Sequence, residues 1–148
     1  MTRPPRPSWP LSSVLPPMGA LATAPRTARM HLRDTLQEWD LPELIEDGEL
    51  VASELVTNVV MQARDPVTGR PAYVNDRLPV LQFGLFSDRR VLLISVWDQF
   101  ADPPVRRAAA AADESGRGLM IADHISASLD WYPVQGGKVV RAFLRAAA

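Results

Sequence analysis

Apolar positions recur with two different periods along this chain of 148 residues, and the change of period divides it into a helical half and a stranded half. Ala28, Leu32, Leu36 and Trp39 are spaced by four, four and three, so they line one face of a helix over 27–41. A second helix is predicted to start near Pro42, a residue suited to a first turn, with Glu43, Glu46 and Asp47 placed favourably for the helix dipole. It continues through Val51, Leu55, Val56, Val59 and Val60 to about Arg64, where Pro66 and Gly69 stop it. Gly48 is a weak point at which this helix can divide into two pieces. After a loop over 65–77 the period drops to two. Leu81, Phe83 and Leu85 then alternate with Val80, Gln82, Gly84 and Phe86, which is a strand over 80–86. A turn over 87–90 leads into 91–97, almost wholly apolar, the pattern of a strand covered on both faces. A Pro- and Ala-containing loop over 99–115 follows, then a helix from Gly118 to about Ser128. The chain closes with a hairpin of strands 129–134 and 138–144 around Gln135, Gly136 and Gly137.

This order predicts an α+β fold, a two-layer α/β sandwich with a mostly antiparallel sheet and helices on one face. Residues 1–14 are expected to be a flexible tail, because Pro4, Pro5, Pro7 and Pro10 remove backbone donors and fix φ. A short edge strand is expected around 18–23, and one domain over 15–148. The length suits one domain able to bury a core without staples. A net charge of -1 provides no field to draw the chain to nucleic acid or an anionic membrane, so neither is expected as a partner. Having no cysteines excludes disulfides, thiolate metal sites and a cysteine nucleophile. No apolar run approaches the roughly 20 residues that cross a bilayer, and the cytoplasm is the expected compartment.

Three groups of residues could carry chemistry. Glu54 and Asn58 are four apart and share one side of the second helix, among apolar neighbours. A carboxylate there can activate a hydroxyl or water, and a carboxamide oxygen suits Mg²⁺; the plainer reading puts both on a wet helix side. Asp98 ends the apolar strand, where it could accept a hydrogen bond from an adenine amino group inside an apolar slot. It could equally cap a turn. Gly116, Arg117, Gly118 and Leu119 open a helix, and glycines at a helix start let backbone N–H groups approach phosphate while Arg117 adds charge. Gly137-Lys138 is not a P-loop, since Tyr132 and Val139 occupy the positions of its first glycine and its Ser/Thr. His31 and His124 have no metal spacing.

The order and spacing of these groups resemble the ATPase superfamily of histidine kinases, type II topoisomerases and heat-shock chaperones (GHKL, Bergerat fold). The chain is most similar to the anti-sigma-factor serine/threonine kinase branch and its short actinobacterial ATP-binding regulators. The stretch from Glu49 to Val60 resembles the N-box, Val96-Trp97-Asp98 the first glycine-box strand, and Asp113 to Leu119 the second box. The resemblance covers about 21–144 and makes 15–148 a histidine-kinase-like ATP-binding domain. It implies Glu54 as general base, Asn58 as the Mg²⁺ ligand, Asp98 as the reader of adenine, and Gly116, Arg117, Gly118 and Leu119 as phosphate contacts. ATP and Mg²⁺ would be the cofactors. The implied partners are a sigma factor or anti-anti-sigma factor, and a second copy of the chain. The alternative is a nucleotide-gated protein-binding module without useful catalysis. The chain departs from the superfamily at Phe100, where a glycine is usual, at Gln62, where a histidine is frequent, and at Lys138, where other branches have threonine.

Overall fold

The computed structural model describes residues 9–104 and 127–146. Its strands are β1 Leu11–Val14, β2 Met18–Gly19, β3 Val80–Ser87, β4 Val91–Asp98, β5 Ala127–Val134 and β6 Gly137–Arg145. Its helices are α1 Ala24–Glu38 and α2 Ile45–Gln62, with a 3₁₀ turn at Pro42–Leu44 leading into α2. The strands form one antiparallel sheet in the order β1-β3-β4-β6-β5, with β2 also on β3. This is the expected α+β sandwich.

The helix faces read from spacing are the buried ones. Ala28, Leu32, Leu36 and Trp39 of the first pattern, and Val51, Leu55, Val56, Val59 and Val60 of the second, all lie in the core. They pack on Leu81, Phe83 and Leu85 of β3, Leu92, Ile94 and Val96 of β4, and Val140, Ala142 and Leu144 of β6, the alternate residues that a pleated sheet presents on one face. α1 stops earlier than expected because Asp40 takes a φ of 58°. That left-handed residue lets Leu41 N–H bond Leu36 O at 2.9 Å and Asp40 N–H bond Gln37 O at 3.2 Å, closing the helix end. Arg89 then donates to the Trp39 carbonyl at 3.0 Å, placing a cation at the helix's negative end.

Gly48 does not divide α2. A Cβ at Gly48 would come within 3.1 Å of the Leu32 side chain, so the missing side chain lets the two helices approach closely.

Three expectations are corrected. The tail expected over 1–14 is strand from Leu11, with Leu11 opposite Ser87 and Val14 opposite Gly84. β1 gives β3 an edge partner, and Ser13 Oγ and His31 Nε2 are 3.0 Å apart, a link from strand to helix that local composition does not report. Ala127 and Ser128, expected at a helix end, belong to β5, paired with Leu144 and Phe143. Finally, β4 is covered by helices on one face only among the described residues. On its other face Leu93 is buried between its cross-strand neighbours Phe86 and Phe143, while Val91, Ser95 and Trp97 are half-buried. Arg141, on that same face, holds Asp130 through two hydrogen bonds of 2.7 and 2.5 Å and lies 5.1 Å from the Tyr132 and Phe143 rings.

The role of β1 has a direct test. Deleting residues 1–14 unpairs the edge of β3 and removes the Ser13–His31 contact, so the melting temperature should fall by more than about 4 °C in a circular-dichroism melt. An unchanged melt would show that β1 does not support the domain.

Candidate functional site

The site grows from the end of β4. In the antiparallel register Asp98 lies opposite Leu81 on one side and Lys138 on the other. Lys138 therefore shares the inward row of Val140, Ala142 and Leu144, and both charged side chains are fully buried under α2. A buried charge is costly unless it is paired and hydrogen-bonded. Here the Lys138 ammonium donates to Asp98 Oδ1 at 2.9 Å, to Gln62 Oε1 at 2.9 Å and to the Phe100 carbonyl at 3.2 Å. All three ammonium protons are used. Asp98 Oδ1 also accepts the Phe100 backbone N–H at 2.8 Å, so the turn-capping role is real as well. Gln62 in turn donates to the Pro103 carbonyl at 3.2 Å.

The second Asp98 oxygen has a different setting. Oδ2 is buried and has no hydrogen-bond partner among the described residues. Burial pushes the Asp98 carboxyl above the ordinary carboxylate value, and the Lys138 ammonium and Phe100 N–H pull it partly back. An unpartnered buried acceptor normally costs about 1–3 kcal/mol, so an oxygen kept in that state fits a site that awaits a donor.

Gly137 makes this corner possible. A Cβ at Gly137 would overlap the Asp98 carbonyl oxygen and come within 2.9 Å of its carbon. Only glycine lets β6 leave the Gln135–Gly136 turn this close to the end of β4 and set Lys138 opposite Asp98.

The ridge of α2 that carries Glu54 and Asn58 ends at Gln62, which touches Lys138. Glu54, Asn58 and Gln62 recur every four residues, so each lies about 6 Å along the axis from the next and successive side chains share a side of the helix. Glu54 and Asn58 are half-buried, neither solvated freely nor part of the core, and Glu54 is engaged in an interaction of its own. The structure thus brings Asp98 and the end of the Glu54–Asn58 ridge into one network through Gln62 and Lys138. Gly116, Arg117, Gly118, Leu119 and His124 lie outside the described residues.

Two members of this network were not among the candidate site residues. By sequence, Gln62 stands out only as a departure from the superfamily, and Lys138 only as a further departure and a failed P-loop residue. The signal for Lys138 was present: the period of two through Val140, Ala142 and Leu144 puts it on the core side, and a lysine there demands an anion. His31 is a half-buried structural residue, 3.0 Å from Ser13 Oγ and edge-on to the Phe83 ring.

Among the described residues no cluster of three His, Cys, Asp or Glu side chains is arranged to hold a metal, and no helix is long and apolar enough to cross a membrane. A groove lined by Arg33, Gln37, Pro42, Ile45, Glu46 and Glu49 lies at the other end of α2, about 20 Å along the helix from Gln62. It is spanned by the exposed Arg33–Glu49 pair and does not include the Asp98 network.

Residues 18–144 match the family model of the histidine kinase-like ATPase domain. Among solved structures the chain is similar to the histidine kinase domain of a blue-light-activated histidine kinase from Erythrobacter litoralis, at 19% identity and a TM-score of 0.45. That similarity covers 66% of this chain and 42% of the other, so this chain spans less than half of that one's length. No curated protein matches the chain.

Proposed function

The chain belongs to the histidine kinase-like ATPase family, and from that premise we propose that it is an ATP- and Mg²⁺-binding regulator, an anti-sigma-factor-like protein serine/threonine kinase of the cytoplasm. The observation that carries the nucleotide reading is the buried, unpartnered Oδ2 of Asp98. An adenine ring carries an exocyclic amino group, a hydrogen-bond donor that meets this need, whereas guanine and hypoxanthine present a carbonyl at the same ring position. The donor set also fits magnesium. Asn58 offers one neutral oxygen, and Mg²⁺ is commonly held by one or two protein groups together with phosphate oxygens and water rather than by an all-protein cage. In this reading Gly116, Arg117, Gly118 and Leu119 contact the phosphates.

Phosphoryl transfer depends mainly on positioning and charge stabilisation, and the protein's part here would be limited. Asp98 would orient the base, Asn58 would hold Mg²⁺, which would supply charge neutralisation for the phosphates, and Glu54 would accept the proton of the hydroxyl that attacks the γ-phosphorus as ADP leaves. The substrate would be a serine or threonine on a protein partner such as a sigma factor or anti-anti-sigma factor. The second reading, a nucleotide-gated binder, keeps the roles of Asp98 and Asn58 and gives Glu54 none.

Calorimetry with ATP, with and without Mg²⁺, tests the nucleotide reading. Asp98→Asn puts either an amide N–H₂ or an uncharged oxygen where Oδ2 now stands, and ATP affinity should fall roughly 5- to 150-fold. The same change leaves Lys138 as a buried unpaired charge, which costs about 3–5 kcal/mol, so binding is to be measured well below a separately determined melting temperature. Equal binding of ATP and GTP by the unaltered chain would remove the adenine assignment.

A further inference from the structure

We propose that Lys138 is the residue that sets which bases the site accepts: by taking Asp98 Oδ1 it leaves Oδ2 as a bare acceptor, so that a purine with an amino group at the six-position fits and one with a carbonyl there does not. The inference rests on the nucleotide reading above and adds to it a positioning residue and a physical reason for selectivity.

The two oxygens of the Asp98 carboxylate are unequal. Oδ1 receives two donors, Lys138 Nζ and the Phe100 N–H, and Oδ2 receives none among the described residues. Lys138 has no proton left for a ligand, because its other two go to Gln62 and the Phe100 carbonyl. Lysine therefore acts on the base only through Asp98. Its first effect is geometric, since it fixes which oxygen faces away. Its second effect is electrostatic. Burial alone favours the protonated carboxylic acid, and the ammonium at 2.9 Å opposes this. An ionised carboxylate can only accept; a protonated one can donate. With Lys138 in place, Oδ2 welcomes an amino group and repels a carbonyl. Without it, a buried Asp98 takes up a proton and can donate to the carbonyl of a keto base.

Among the described residues Lys138 is the charge that acts on Asp98. The groups that α2 and the chain after β4 bring to the pair, Gln62 and the Phe100 backbone, are neutral. α2 also carries Glu54, two turns away from Gln62.

Lys138→Met removes the ammonium and keeps an unbranched side chain of similar length. ATP and inosine triphosphate, which differ at the amino or keto group, are the two probes. In the unaltered chain ATP should bind roughly 5- to 150-fold more tightly than inosine triphosphate at pH 7. In K138M that preference should collapse or invert at pH 7 and return as pH is raised and Asp98 loses its proton. A merely structural role for Lys138 would weaken both nucleotides alike and leave their ratio unchanged at every pH; that result overturns the proposal while ATP preference in the unaltered chain keeps the nucleotide reading intact. If the unaltered chain binds neither nucleotide, both fall together. Should K138M not fold, the carboxyl ¹³C shift of Asp98 in the unaltered chain decides: an ionised Asp98 at pH 7 is expected, and a protonated one overturns the proposal.

Discussion

Replacing Glu54 by glutamine is expected to lower phosphoryl transfer to a serine-bearing partner by about 10²- to 10⁴-fold, the usual contribution of a general base, while ATP binding stays within a few-fold. The separation follows from charge. A carboxylate that accepts a proton in the transition state contributes little to holding the bound nucleotide, and its negative charge opposes a nearby triphosphate. Glutamine keeps the size and polarity of a half-buried side chain, so the fold should persist. Asn58→Ala, one turn along the same ridge, should instead abolish the magnesium dependence of binding. Transfer measured with labelled ATP and binding measured by calorimetry distinguish the two. If the unaltered chain binds ATP tightly and phosphorylates no partner, the kinase reading fails and the nucleotide-gated binder stands. If E54Q changes neither quantity, Glu54 is an ordinary helix residue.

The second large effect is expected at Gly137. Gly137→Val puts a branched side chain where even a Cβ overlaps the Asp98 carbonyl oxygen, a backbone atom that cannot swing away. Either β6 shifts away from β4 or the end of β4 moves. In both cases the Asp98–Lys138 pair separates, leaving two buried charges uncompensated, a loss of about 3–5 kcal/mol before any strain is counted. For a domain with the usual stability of about 5–15 kcal/mol this removes much of the folding free energy. The expected result is a chain that melts far lower or does not fold, read by circular dichroism, with no measurable ATP binding. Gly136→Ala, one residue earlier, is the control. Its φ of 82° costs backbone strain, yet a Cβ there meets no atom within 4 Å, so the loss should be about 1 kcal/mol. Equal effects at the two glycines would show that the close approach at Gly137 is not what matters.

What the sequence determined by itself was everything that repeats at short range. The spacing of Ala28, Leu32, Leu36 and Trp39 fixes a buried helix face because a helix returns to the same side every 3.6 residues, whatever surrounds it. The alternation of Leu81, Phe83 and Leu85 fixes a strand face in the same way, and Glu54 and Asn58 share a ridge by spacing alone. The tertiary structure decided the rest. Local composition marks residues 11–14 as tail; they are strand because β3 offers an edge and His31 meets Ser13. Lys138 is a poor core residue by type, and the acid nearest to it along the chain, Asp130, is held by Arg141 on the other face of the sheet. It is buried because the β4–β6 register sets it opposite Asp98, forty positions earlier, and because Gln62 of α2 closes over it. The stability of a buried charge depends on which partner arrives and at what distance, and that is a property of register and packing between segments far apart in the chain. For the same reason the free oxygen of Asp98, on which the nucleotide reading turns, has no trace in the order of residues: it exists only once Lys138 and Phe100 have taken the other one.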